Sequence, residues 1–181
     1  GVASDSHPAL ISTYLAVRGG WVPPASLNEA EYQAARQLPT NDPLHGFCGF
    51  FCSFGGKYWG GYAREEGRNF AEEASRALRK VCAETGHWRI ECADFGAQRP
   101  GPLRAVIYCD PPYAGTTAYH LPFDNSAFWA RAQEWAQHTP IYVSEFSCPV
   151  PHERVLEIHR GKGVSGPRTA CVDVLFRVLP I

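Results

Sequence analysis

The chain has 181 residues, 45% of them hydrophobic and 13% aromatic, which is enough apolar material for one domain, residues 1–181, with a sizeable core. With 17 Lys and Arg against 18 Asp and Glu, the formal net charge of −1 excludes a global basic field, so any nucleic-acid contact has to come from a local patch. No apolar run approaches the ~18 residues of a membrane span and no lipidation signal is present, while an odd set of 7 cysteines without a Cys-x-x-Cys predicts a reducing, cytoplasmic setting and no membrane partner.

The chain opens on Gly1-Val2-Ala3-Ser4-Asp5, which reads as the last residues of a strand. Ser6-His7-Pro8 then supplies a cap and a first-turn proline for a helix to about Arg18, with Leu10, Ile11, Tyr14 and Leu15 on one face and Gly19-Gly20 as the stop. Asp5 has two readings of equal weight: an acceptor for ribose hydroxyls at a strand end, or a carboxylate that caps the helix. Ser26 and Glu29 have the spacing of a capping box and predict a helix to about Leu38, followed by a loop from Pro39 to Pro43.

Between Phe47 and Tyr62 aromatics and glycines alternate, which predicts a buried hairpin whose rings are mostly core, with the glycine turns and Lys57 at a substrate edge. Cys48 and Cys52 lack a matching His or Cys pair nearby, so no metal site is expected there. Arg64 and Arg68 follow and are candidates for phosphate contacts. Asn69 with Glu72 predicts a second capping box, opening a helix to Gly86 whose stripe is Phe70, Ala74, Ala77, Leu78, Val81 and Cys82. Arg76, Arg79 and Lys80 fall off that stripe and read as a solvated face.

Trp88 to Phe95 alternates as a strand that carries Asp94 near its end, and Gly96 to Pro102 is a loop. Ala105-Val106-Ile107-Tyr108-Cys109 is a continuous apolar run that stops at Asp110-Pro111-Pro112-Tyr113. Such a run predicts a buried parallel strand delivering a carboxylate and a rigid turn to the end where open α/β sheets keep their ligands. Two prolines fix two φ angles and leave free carbonyls, and Tyr113 adds a flat ring. Acceptors beside an aromatic face suit a planar base with an exocyclic amino group.

Residues 114–122 lack periodicity and read as a loop over the site. Asp124 or Asn125 caps a helix to about Gln137, with Phe128, Ala132 and Trp135 inward. Ile141 to Glu145 is a further parallel strand. Arg154–His159 and Val172–Val178 form a closing antiparallel hairpin across a glycine-rich loop, Gly161 to Pro167, whose Lys162 and Arg168 read as an exposed basic loop. Cys82, Cys109 and Cys171 sit in apolar runs as small core residues.

The Asp110–Tyr113 motif, its continuation Ala114-Gly115-Thr116-Thr117-Ala118-Tyr119, Phe123-Asp124, the strand Val143-Ser144-Glu145 and the block Gly49 to Arg64 together resemble the Dam-like DNA adenine methyltransferases, in particular their phage and prophage branch. The resemblance spans most of the chain. It implies a Rossmann-like methyltransferase sheet, mostly parallel with a C-terminal antiparallel hairpin, and a short target-recognition segment at about residues 20–68. It implies S-adenosylmethionine as methyl donor, with Asp5 at its ribose and Asp94 near its adenine, and Asp110, Pro111, Pro112 and Tyr113 as the catalytic motif. Double-stranded DNA is the implied partner, with Lys57, Arg64 and Arg68 as candidate contacts, in the cytoplasm of a bacterial or phage-infected cell.

These enzymes open with a Phe-x-Gly-x-Gly type loop that cradles the methionine part of the donor, and nothing before Asp5 supplies one. The expectation is that the N-terminal strand and loop are missing and are supplied by a further polypeptide segment, or that the chain is a non-catalytic nucleic-acid-binding or complex-forming remnant. The absence of methionine, even at position 1, is expected if the initiator has been removed or the chain is part of something longer. A third expectation, sharing the acceptor logic, is methylation of a protein glutamine or an RNA base.

Overall fold

A computed structural model describes residues 1–99, 105–113, 123–159 and 172–181. The architecture is mixed α/β and divides into two compact units, Gly1–Phe95 and Gly96–Ile181. The predicted loops at 114–122 and around Gly161 to Pro167 lie outside the described residues. No described helix is long and apolar enough to cross a membrane.

In the first unit, β1 (Val2–Asp5) pairs in parallel with β2 (Arg89–Cys92), in register from Val2 opposite Arg89 to Asp5 opposite Cys92. α1 (Pro8–Arg18) follows β1, with Pro8 preset for its first turn and Gly20, at φ 98°, ending it. Arg18 donates to the carbonyl of Trp88 over 2.6 Å and to that of Gly86, tying the end of α1 to the turn before β2. α2 (Glu29–Ala35) is capped by Asn28 rather than Ser26: the Asn28 side chain accepts the Glu31 N–H at 2.9 Å, and Glu31 accepts the Asn28 N–H at 2.8 Å. The predicted box was therefore two residues early, because Asn28 and Glu31 have the same spacing and close the reciprocal pair.

The expected hairpin from Phe47 to Tyr62 is instead helical at its start. α3 (Pro43–Gly46) runs into a π-helical turn at Phe47–Phe51 and a single 3-10 turn at Phe54–Gly56, and Ser53 and Tyr62 form an isolated bridge. Phe47, Cys48, Phe51 and Cys52 recur at helical spacing, a pattern masked by the glycines around it. Most of the rings are core as predicted: Phe47 is fully buried, and Phe51, Trp59 and Tyr62 pack against the cluster of Tyr32, Ala35, Cys48, Cys52 and Leu78. Gly49 is required here, since a Cβ would come within 2.6 Å of the Tyr58 ring.

α4 (Phe70–Glu84) starts where expected, with Asn69 accepting the Glu72 N–H at 3.1 Å. Its buried stripe is Ala71, Ser75, Leu78 and Cys82, turned from the predicted one so that Ala77 and Val81 face outward. Ser75 is accommodated inside because its hydroxyl donates to the Pro23 carbonyl at 3.0 Å.

The second unit is built on a four-stranded sheet in the order β3-β4-β6-β5, from β3 (Ile107–Cys109), β4 (Ile141–Glu145), β5 (His152–His159) and β6 (Val172–Val178). β3 and β4 are parallel, and β6 is antiparallel to both β4 and β5. α5 (Asn125–Ala136), capped by Asp124 through the Ala127 N–H, buries Phe128, Trp129, Ala132 and Trp135. On β4, Ile141, Val143 and Glu145 are buried while Tyr142 and Ser144 face the other side. β3 departs from the expected fully buried strand, with Val106 64% and Tyr108 62% exposed. Its side chains alternate between the two faces of the sheet, with Ile107 and Cys109 half-buried on one and Tyr108 exposed on the other, so only one face is covered.

Candidate functional site

β3 pairs with β4 as far as Cys109 opposite Val143, so Asp110 emerges from the end of β3 beside Ser144, which stays in β4 opposite Leu175 of β6. Ser144 Oγ donates to Asp110 Oδ1 at 2.6 Å, and an ionised carboxylate only accepts. The serine's one proton is thus committed, and the Tyr108 hydroxyl, 3.0 Å from Ser144 Oγ, is the donor of the next link. Alternation along each strand puts Tyr108 and Asp110 on one face of β3, and Ser144 and Phe146 on the same face of β4.

Pro111 is buried and anchors the turn, whereas Asp110 is exposed. Tyr113, half-buried, meets Phe146 edge to face, with ring centroids 4.7 Å apart and planes at 89°. The Phe146 N–H donates to Oε1 of the buried Glu145 at 2.8 Å, which sets where the chain leaves β4. The arrangement presents an outward carboxylate and an aromatic ring on a stiff base. Beneath them Cys109 is half-buried, and burial pushes its thiol up to about 11.

In the first unit the parallel pairing of β1 and β2 brings Asp5 and Asp94 to one carboxyl edge, and the Asp5 carbonyl accepts the Ala93 N–H at 3.0 Å. Both are exposed. Asp5 Oδ1 accepts the His7 N–H at 2.6 Å in a turn ahead of α1, whose N-cap His7 makes no side-chain capping bond. Lys57 is exposed just after Gly55 and Gly56, which both have positive φ.

Arg64 pairs with Glu29 at 3.2 Å, and Arg68 with Glu65 at 2.9 Å and Glu73 at 2.6 Å, while the Arg68 guanidinium also lies 4.4 Å from the Phe70 ring. Hydrogen bonding from Arg68 holds the Glu73 carboxyl below its usual range. The two arginines line a cleft of about 250 Å³ with Tyr62, Asn69 and Phe70.

The sequence reading missed three contributors to the carboxyl edge of β3 and β4: Tyr108, Ser144 and Phe146. Ser144 stood in the strand Val143-Ser144-Glu145 that shares the resemblance, and the i, i+2 spacing of Ser144 and Phe146 at its end was a further signal. It also missed a polar link inside the first unit, where the buried His45 holds Tyr58 Oη at 2.6 Å and the Trp59 indole N–H at 3.3 Å through Nε2. An indole nitrogen only donates, so Nε2 accepts and the imidazole carries its proton on Nδ1. No protein-family model matches the chain, and no curated protein matches it.

Proposed function

We propose that the chain is the catalytic portion of a Rossmann-like, S-adenosylmethionine-dependent methyltransferase acting on the exocyclic amino group of adenine in DNA. The observation that carries the reading is the exposed Asp110 carboxylate, held by Ser144 and followed by two prolines and the Tyr113 ring at the end of a parallel strand. The amino nitrogen of adenine is a poor nucleophile because its lone pair is delocalised into the ring. Asp110 and the Pro111 carbonyl accept its two hydrogens, which lets the nitrogen become more tetrahedral and directs its lone pair, while Tyr113 stacks on a base that has left the helix. Asp5 and Asp94 suit the hydroxyl and amino donors of the cofactor's nucleoside, being exposed carboxylates at one strand edge, and Asp5 Oδ1 also accepts the His7 N–H. When bound, the donor supplies an electrophilic methyl group on a sulfonium sulfur. Lys57, Arg64 and Arg68 are the proposed DNA contacts.

Radiolabelled methyl transfer to unmethylated double-stranded DNA, with parallel RNA and protein substrates, tests the reading. Transfer to adenine N6 that is lost in Asp110→Ala while the circular dichroism spectrum is kept supports it, and undiminished transfer by that variant sinks it. A second reading, a non-catalytic remnant that forms complexes, is favoured by the pairing of Arg64 and Arg68 with carboxylates, which leaves them less charge for phosphates. Calorimetry separates the two: heat of S-adenosylmethionine binding by the isolated chain supports the enzyme, and its absence the remnant.

A further inference from the structure

We infer that Ser144 is the positioning residue of this site, fixing which oxygen of Asp110 meets the substrate. The side chain of an exposed aspartate at a strand end has two free torsions, and its two oxygens are chemically equal until something distinguishes them. Here the Ser144 hydroxyl occupies one lone pair of Oδ1 at 2.6 Å and fixes the plane of the carboxylate, which makes Oδ2 the less engaged oxygen to accept from an amino group. Ser144 is itself oriented: its proton goes to the carboxylate, and its lone pair receives the Tyr108 hydroxyl at 3.0 Å. The parallel register makes this possible, because Tyr108 lies opposite Tyr142 and the pleat returns Asp110 and Ser144 to that same face two residues later. Tyr108 is exposed along much of its ring, and its hydroxyl closes the chain at the edge of the sheet. A three-member chain of Tyr108, Ser144 and Asp110 thus aims one acceptor before any substrate arrives, a task that rests on alignment rather than on added binding energy.

The kinetic part of this inference rests on the methyltransferase reading; the structural part does not. Crystal structures of the full chain and of Ser144→Ala, compared at Asp110, are combined with steady-state methylation of DNA by the parent, Ser144→Ala, Ser144→Thr and Tyr108→Phe. In Ser144→Ala the Asp110 carboxylate is expected to leave its single rotamer, with kcat reduced by about tenfold to a hundredfold and KM for DNA within about twofold of the parent. Ser144→Thr, which keeps the hydroxyl on a strand-favouring residue, restores both. Tyr108→Phe, an exposed change that leaves β4 untouched, lowers kcat by about threefold and serves if the alanine variant does not fold. An Asp110 side chain unmoved in Ser144→Ala, or moved with kcat within twofold of the parent, overturns the inference. If the parent transfers no methyl group to DNA, RNA or protein, the functional reading falls, and the position of Asp110 in the two crystal structures alone decides the role of Ser144.

Discussion

Phe146 meets the Tyr113 ring edge to face at 4.7 Å, so the strand neighbouring the Asp-Pro-Pro-Tyr turn also holds its aromatic end. Edge-to-face pairs contribute about 1 kcal/mol beyond area burial, and Phe146 is 37% exposed, so its removal is a local change. Phe146→Ala is expected to lower single-turnover methyl transfer about tenfold while shifting the urea midpoint only slightly. Phe146→Tyr is expected to retain the parent rate. Equal rates in parent and alanine variant would remove the ring brace from the account.

Gly46 lies where α3 presses on α1, and a Cβ there would fall 2.1 Å from the Ala9 carbonyl oxygen and 2.2 Å from Thr13 Oγ1. Neither neighbour can yield easily, because Thr13 is fully buried and its hydroxyl already bonds the Ala9 carbonyl at 2.9 Å. Gly46→Ala is therefore expected to cost about 3 kcal/mol in urea unfolding, at the upper end for one added methyl in a packed core. A loss below about 1 kcal/mol would mean that the two helices separate freely.

The Glu73 carboxyl is held below its usual range by the Arg68 hydrogen bond, so the folded state binds fewer protons there than the unfolded chain. The pair's contribution is then present above the ordinary carboxylate value of about 4.3 and lost as pH falls through the lower folded value. Thermal melts of parent and Glu73→Gln are expected to differ at pH 7, to converge towards pH 3, and to differ less in high salt. Melts that differ equally at both pH values would contradict this.

Burial raises the Cys109 thiol to about 11, which has the opposite sign. The folded state retains a proton that the unfolded chain has released, so stability is whole below about pH 8.5 and declines as pH rises towards 11. Alkylation at pH 8 followed by mass spectrometry is expected to label the exposed Cys92 well before Cys109. Early modification of Cys109 would show that the layer beneath Asp110 opens readily.

Local chemistry was legible in the sequence at several short stretches, though not at the start of α2, where Asn28 rather than Ser26 is the cap. Asn69 caps α4 because its acceptor and the Glu72 N–H are three residues apart, and the Asp124 cap and the β5–β6 pairing follow the same way. What depends on tertiary neighbours was not. The Phe47 stretch looked like a hairpin because glycines hide its helical spacing, and β3 looked fully buried because an apolar run carries no record of whether both faces of its sheet are covered. At the candidate site the motif itself was readable, but Ser144 and Phe146 matter only through a parallel register that places them beside Asp110 and Tyr113. Arg64 and Arg68 were readable as cations, and their glutamate partners only partly so, since Glu29 is remote in sequence.

The grip of Arg18 on the carbonyls of Gly86 and Trp88 joins the last turn of α1 to the entry of β2, across some seventy positions of chain. Fraying at either place strands the same guanidinium and the same carbonyls, so the two ends open together rather than separately. Amide protons around Arg18 and Arg89 are accordingly expected to exchange as one cooperative unit, at the end of the strand pair where Val2 lies opposite Arg89.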